Sequence, residues 1–252
     1  MRILMYHEVS KEDPADILAV RHDRFSEQMT WLKVNRYRVT ALSDLISDKP
    51  SGQKATDRKS IALTFDDGYL DTYTTAWSVL REHDISASVF LVSGRVGKTS
   101  AWRKGALANR PLMSWDNARE MAAGGIQFGS HTVTHPHLSK LGARAVELEI
   151  QDSRCQIEAQ LEQSITHFSY PYSSVNPSVY YALRKAGYTH ACTYRDHYVG
   201  GAGYNLLALQ CIIVLANDTL EDFAAKVRSN LRLRLRWYRV QLTKSYRRKV
   251  KS

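Results

Sequence analysis

The sequence predicts an α/β protein whose parallel strands form an open sheet or close into a barrel, and three observations carry that expectation. Short runs rich in β-branched and aromatic residues alternate with segments of helical periodicity along most of the chain. Glycine, proline and polar clusters punctuate them at short intervals. Two of the runs end in chemically capable residues: Ile61–Phe65 in Asp66-Asp67-Gly68, and Ile126–Phe128 in Gly129-Ser130-His131. Strand C-terminal ends gather on one face of a parallel α/β protein, so such residues meet in one cleft.

Taken in order, Ile3–Tyr6 reads as the first strand, with His7 at its exit. Ser26 is a candidate cap for a helix running to about Asn35, with Met29 and Leu32 inward. Tyr37–Thr40 is a short strand, and the polar stretch Lys49–Ser60, with Pro50 and Gly52, is a loop. Ile61–Phe65 is a strand, Tyr73–His83 a helix and Ala87–Val92 a strand. The basic, irregular segment from Gly94 to Arg110 can fold over a cleft. Ser114 caps a helix through Ala123 that Gly124-Gly125 ends. A strand at Ile126–Phe128 is followed by a long helix over Arg144–Gln163, with Val146, Ile150, Ile157 and Leu161 on one side. Thr166–Phe168 is a strand, Ser178–Ala186 a helix closed by Gly187, and Ala191–Thr193 and Leu209–Val214 the last strands. From Glu221 onward the pattern is helical.

With 252 residues and 44% hydrophobic content, the chain is long enough for one large domain. The three cysteines, Cys155, Cys192 and Cys211, are far apart and lack CxxC spacing, which speaks against a disulfide framework or a thiolate metal site and fits a reducing compartment. The N-terminal apolar run is too short for a secretory signal, and no stretch of about 18 apolar residues occurs. The net charge of +10 is unevenly placed. Eleven lysines and arginines and no acid follow from Phe223 to the end, leaving 24 basic against 25 acidic residues before it. Residues 1–225 therefore read as one domain and 226–252 as a basic tail. Leu231, Leu235, Tyr238, Leu242 and Tyr246 recur there at helical spacing among Arg232, Arg234, Arg236, Arg239 and Lys244. A basic amphipathic helix on an anionic bilayer fits that pattern, as does a helix packed on the body. Nucleic acid is the weaker partner, because no recognition motif accompanies the charge. The expected location is cytoplasmic, peripheral to the inner membrane face.

Two stretches carry chemistry. In Asp66-Asp67-Gly68 the paired carboxylates stand at a rigid strand tip, where side chains of successive residues diverge. In His131-Thr132-Val133-Thr134-His135 two imidazoles stand four residues apart and can reach one ion, with a carboxylate as a third ligand. Taken alone, each has an ordinary structural reading: an acidic turn, and a polar connection with solvated histidines.

In combination and in this order, Thr64-Phe65-Asp66-Asp67-Gly68, His131-Thr132-Val133-Thr134-His135 and Tyr170-Pro171-Tyr172 resemble the polysaccharide deacetylases of carbohydrate esterase family 4, the NodB-homology group. Met5-Tyr6-His7-Glu8-Val9 is similar to the start of the branch acting on poly-N-acetylglucosamine-type exopolysaccharides. The resemblance spans roughly residues 1–225 and implies a distorted, seven-stranded (β/α) barrel. It implies a divalent cation, with Zn2+ expected, held by Asp67, His131 and His135. It makes Asp66 the general base and puts the backbone N–H of Tyr172 in the oxyanion hole. The implied reaction removes acetate from an N-acetylhexosamine in a polysaccharide, oligosaccharide or lipid-linked glycan.

The sequence departs from the common pattern in three places. Ser169 stands where many members have an arginine that orients the base, and Ser173 replaces a glycine. The late Leu-x-x-His-Asp motif that supplies a general-acid histidine is not recognisable between Leu209 and Asp218. His7 is then the candidate acid, with metal-bound water and His197 as alternatives. A non-catalytic relative that binds or scaffolds glycans is the second reading. Of the other residues, His137 reads as a neighbour of the site rather than a ligand, and Trp115 as core. Trp102 is placed equally well in the core or in a substrate groove. Arg95, Lys98, Arg103 and Lys104 read as a solvated face.

Overall fold

The computed structural model describes residues 2–12, 16–47, 59–194 and 205–228. The chain divides into two compact units, Met1–Asn217 and Asp218–Ser252. In chain order the first unit runs β1 (Arg2–Tyr6), β2 (Glu8–Ser10), β3 (Ala19–Arg21), α1 (His22–Val34), β4 (Arg38–Thr40), α2 (Leu42–Ser47) and β5 (Ser60–Phe65). It continues with α3 (Trp77–Glu82), β6 (Ser88–Leu91), α4 (Trp115–Ala123), β7 (Gln127–Ser130), α5 (Ala143–Leu161) and β8 (His167–Ser169). Then come α6 (Pro177–Lys185), β9 (His190–Thr193), β10 (Leu209–Gln210) and β11 (Ile212–Ile213). The second unit holds α7 (Leu220–Arg228).

All pairings in the main sheet are parallel, in the order β10-β9-β8-β7-β6-β5-β1-β11, with β4 added on β5. The two ends of that path are neighbours in sequence. Only Cys211 separates β10, which pairs with β9, from β11, which pairs with β1. The Cys211 N–H donates to the Thr193 carbonyl at 2.8 Å and the Val214 N–H to that of Met5 at 2.9 Å. One broken segment thus bridges the first and last strands and nearly closes a barrel. Along this path eight strands stand where seven were expected, because the closing segment counts twice.

Strands covered on both faces read as continuous apolar runs rather than alternating ones. This explains why Ile3–Tyr6 and Ile61–Phe65 are buried throughout. At the centre Tyr6, Phe25 and Phe65 pack ring against ring at 5.2–5.9 Å, joining β1, α1 and β5. The Tyr6 hydroxyl donates to Gln28 Oε1 at 2.7 Å, so this buried polar atom is satisfied. On α5, Val146, Ile150, Ile157 and Leu161 are buried, as the periodicity requires, and Ser153 joins them.

Local signals and structure differ in a few places. α1 begins at His22, so Ser26 lies inside the helix and caps nothing; Arg21 occupies the cap position without a side-chain bond. α6 begins at Pro177, one residue before the expected Ser178, and Asn176 caps it by accepting from the Val179 N–H at 2.9 Å. The helix expected over Tyr73–His83 opens with a π-turn at Thr72–Ala76. Trp115, read as core, is half-buried in the first turn of α4. The Ser114 cap is present and is reciprocated by Asn117. In the second unit, Thr219 and Asp222 cap α7 reciprocally, and buried Lys226 pairs with Asp218. Most of the loop expected over Lys49–Ser60, His197, and the tail beyond Arg228 lie outside the described residues.

Gly129 shows how tightly the strands that carry the site are packed. A Cβ there would lie 2.6 Å from the Phe90 ring and 2.9 Å from the His167 carbonyl oxygen. We expect Gly129→Ala to lower stability by about 1–3 kcal/mol through overpacking, measured as a lower denaturant midpoint at unchanged slope.

Candidate metal centre

Three strand ends converge here. Asp66 and Asp67 leave β5, His131 leaves β7 with His135 four residues on, and Ser169 ends β8 before the turn holding Tyr172. Each carrier bends sharply as its strand stops. Asp67 (φ 74°), Thr132 (φ 71°), His135 (φ 64°), Tyr172 (φ 56°) and Ser173 (φ 52°) all occupy the left-handed region, which is costly for non-glycine residues. Gly68 (φ 72°) follows Asp67 in the same conformation. The turn thus begins at the second aspartate and swings it away from the first.

The sequence-predicted ligands meet. Asp67 Oδ1 lies 3.3 Å from His131 Nε2 and 3.1 Å from His135 Nε2, and the two Nε2 atoms are 3.2 Å apart. All three side chains are buried. They form the one His, Cys, Asp or Glu cluster suited to a metal ion among the described residues. Beyond these two imidazoles Asp67 Oδ1 has no partner, and a buried carboxylate oxygen calls for compensating charge. One carboxylate oxygen and two imidazole nitrogens, buried and within reach of a common centre, fit a divalent cation. Burial pushes the Asp67 carboxyl up, but the His135 and His131 imidazoles outweigh it and hold the group well below the usual carboxylate range. Burial lowers His131, yet the Asp66 and Asp67 carboxylates raise it overall; for His135, burial wins and the ring stays neutral more readily.

Outer contacts orient the ligands. His131 Nδ1–H donates to the Ser169 carbonyl at 2.7 Å, which leaves Nε2 free to ligate. The Glu149 carboxylate, from α5, accepts from the Val133 N–H at 2.8 Å, the Thr134 N–H at 2.9 Å and the Thr134 hydroxyl. Thr132 Oγ1 accepts from the His135 N–H at 3.0 Å. Glu149 was missed at the sequence level. It stands fourteen residues past His135 on a polar face of an ordinary amphipathic helix, and no local pattern marks it.

Asp66 sits beside the cluster, with Oδ2 3.9 Å from His131 Nε2. That oxygen accepts from the Ser169 hydroxyl at 2.8 Å, while Oδ1 is buried without a partner. Tyr172 lies in the Pro171–Ser173 turn that follows β8, at φ 56°. His7 is half-buried and feels the charges of Asp67, Asp66 and His131; burial dominates and lowers its pKa. Trp102 stacks on His135 at 4.5 Å, so it belongs to the cleft. Tyr172 packs edge-on against His135, and exposed His137 stacks on Tyr172 at 3.9 Å. His137 is outside the ligand cluster, in line with its reading as a neighbour. Arg103, expected on a solvated face, instead pairs with Asp16, and Arg110 pairs with buried Glu8 at 2.7 Å. These pairs tie the 94–110 segment to the segment after β1. Beside them is a cavity of about 140 Å³ lined by Glu8, Tyr69, Asp71, Thr74 and Arg110.

Known proteins share this architecture. The family model for polysaccharide deacetylase matches residues 53–191. YxkH of Bacillus subtilis is 30% identical over 190 residues, 74% of this chain, and the chain spans 61% of the length of that relative. The poly-beta-1,6-N-acetyl-D-glucosamine N-deacetylase of Staphylococcus epidermidis is 26% identical over 242 residues, 86% of this chain and 80% of its own. The Streptococcus pyogenes deacetylase PplD, solved in complex with acetate, superposes with a TM-score of 0.75 at 25% identity, covering 91% of this chain and 98% of that one.

Two outcomes test the centre. Glu149→Ala frees the loop between the histidines and should weaken binding of a divalent cation roughly 10- to 100-fold, measured by chelator competition, with unchanged helix content. Protons compete for His131 Nε2. Because its pKa is raised, cation affinity should start to fall, on acidification, at a pH above 6.5. Titrating affinity against pH reads this directly.

Proposed function

The chain belongs to the polysaccharide deacetylase family, and from that membership and the geometry of its site we propose a metal-dependent hydrolase that removes acetate from an N-acetylhexosamine in a glycan. The observation that carries the reading is the buried Asp67–His131–His135 cluster beside a second carboxylate, Asp66, with one oxygen uncommitted.

Asp67, His131 and His135 would hold the cation. Their donor atoms stand 3.1–3.3 Å apart, close to the roughly 3.3 Å that tetrahedral geometry gives with bonds of about 2.0–2.1 Å, which favours Zn2+. When bound, such a cation polarises the acetamide carbonyl and makes a water acidic near neutral pH. Asp66 Oδ1, the uncommitted oxygen, would accept a proton from the attacking water and aim that water at the carbonyl carbon. The Tyr172 N–H donates to the carbonyl oxygen as it gains charge. The C–N bond then breaks, and the leaving nitrogen takes a proton as acetate departs. His7 is the candidate for delivering it. Burial lowers its pKa, against the pull of the Asp67 and Asp66 carboxylates nearby. Trp102, Tyr172 and His137 form an aromatic wall on which a sugar face can rest. The relation to the Staphylococcus epidermidis enzyme supports N-acetylglucosamine polymers as the substrate class to try first.

Acetate release from N-acetylglucosamine oligomers by the Zn2+-loaded protein is the test. Asp66→Asn should lose at least about 100-fold in rate and keep its metal. His131→Ala should lose metal and activity together. Failure of the loaded protein to release acetate from any acetylated glycan sinks the reading.

A further inference from the structure

We propose that Ser169 is the positioning residue for the Asp66 base, and that one residue at the end of β8 sets both the base and a metal ligand through separate atoms. The inference rests on the deacetylase reading above. Ser169 is 0% exposed. Its hydroxyl donates to Asp66 Oδ2 at 2.8 Å, and its carbonyl accepts from His131 Nδ1 at 2.7 Å.

The backbone that carries these atoms is pinned. Ser169 is in register with Cys192 of β9, and the next N–H, that of Tyr170, donates to the Cys192 carbonyl at 3.1 Å. The hydroxyl therefore swings about one torsion only, from a fixed Cα. With Oδ2 so engaged, the plane of the Asp66 carboxylate is set. Oδ1, buried and without a partner, is the oxygen left to receive a proton. Where many members place an arginine, a neutral hydroxyl here holds the same carboxylate through one hydrogen bond. The departure at position 169 thus exchanges one means of holding the base for another, and it weakens the case for a non-catalytic relative.

The two roles of Ser169 separate cleanly, since Ser169→Ala deletes the hydroxyl and keeps the carbonyl. On the Zn2+-loaded protein we expect kcat to fall roughly 10- to 100-fold through a misplaced base. KM and Zn2+ affinity should each stay within about twofold. Ser169→Thr, which keeps a hydroxyl, should recover most of the rate. In an Asp66→Asn background, Ser169→Ala should have no further effect, because its partner no longer acts as a base. Unchanged kcat overturns the proposal. So does a fall in Zn2+ affinity that tracks the rate, or an equal loss in the Asp66→Asn background. Crystal structures of the wild type and Ser169→Ala decide the matter without turnover. A rotated or split Asp66 carboxylate in the variant supports the proposal, and an unmoved one overturns it. Loss of the deacetylase reading, seen as a wild type that releases no acetate, is thereby distinguished from loss of this one.

Discussion

A carboxylate enclosed by two imidazoles is the constraint around which this protein is arranged. Asp67 is only 4% exposed, and a charge so buried is tolerated only with close compensation. The imidazoles supply part of it, and the spacing of the three donor atoms suits a cation that would supply the rest. Bringing the donors together bends the backbone into the left-handed region at Asp67, Thr132, His135, Tyr172 and Ser173. Each such residue costs on the order of 1–3 kcal/mol and persists only where its surroundings over-determine it. Here they do so through Glu149 and Thr132 on the histidine loop, and through Gly68 after the aspartates.

The barrel makes that convergence affordable. Parallel strands deliver all their C-terminal ends to one rim, so residues 66, 131 and 169 become neighbours although 38 to 103 positions separate each pair in sequence. β6 lies between β5 and β7 and sets the gap across which aspartate and histidine meet. Gly129 lets β7 approach β6 and β8 closely enough for this. The segment after β6 then crosses the rim and lays Trp102 against His135, held by Arg103 on Asp16 and Arg110 on Glu8. Each pair holds a buried carboxylate with a more exposed arginine, and what they fix here is one wall of the cleft.

Membership of the polysaccharide deacetylase family and the chemistry of the cleft meet in the division of labour between adjacent aspartates. Asp67 faces the imidazoles, whereas Asp66 is turned to Ser169. Two identical side chains at consecutive positions acquire different partners because the chain turns into the left-handed region at the second of them, just past the end of β5. The same economy appears at Ser169, where main chain and side chain serve different neighbours.

Much of this was written in the sequence. Alternating apolar runs and helical periods specified parallel α/β order, because burial on both faces of a strand and on one face of a helix leaves distinct patterns. Asp66, Asp67, His131 and His135 were legible because few residue types perform their chemistry and their spacing is local. What stayed hidden depends on contacts between distant segments. The closing strand split at Cys211, the Glu149 clamp, the pairing of Arg103 with Asp16 and the dual use of Ser169 have no local signature. A glutamate on a polar helix face looks the same whether it meets water or a strained loop, and only packing of α5 beneath that loop decides which. Sequence determined which chemistry this protein can carry; tertiary structure decided which atoms share it, since distance between remote residues is set by the barrel and by nothing nearer in the chain.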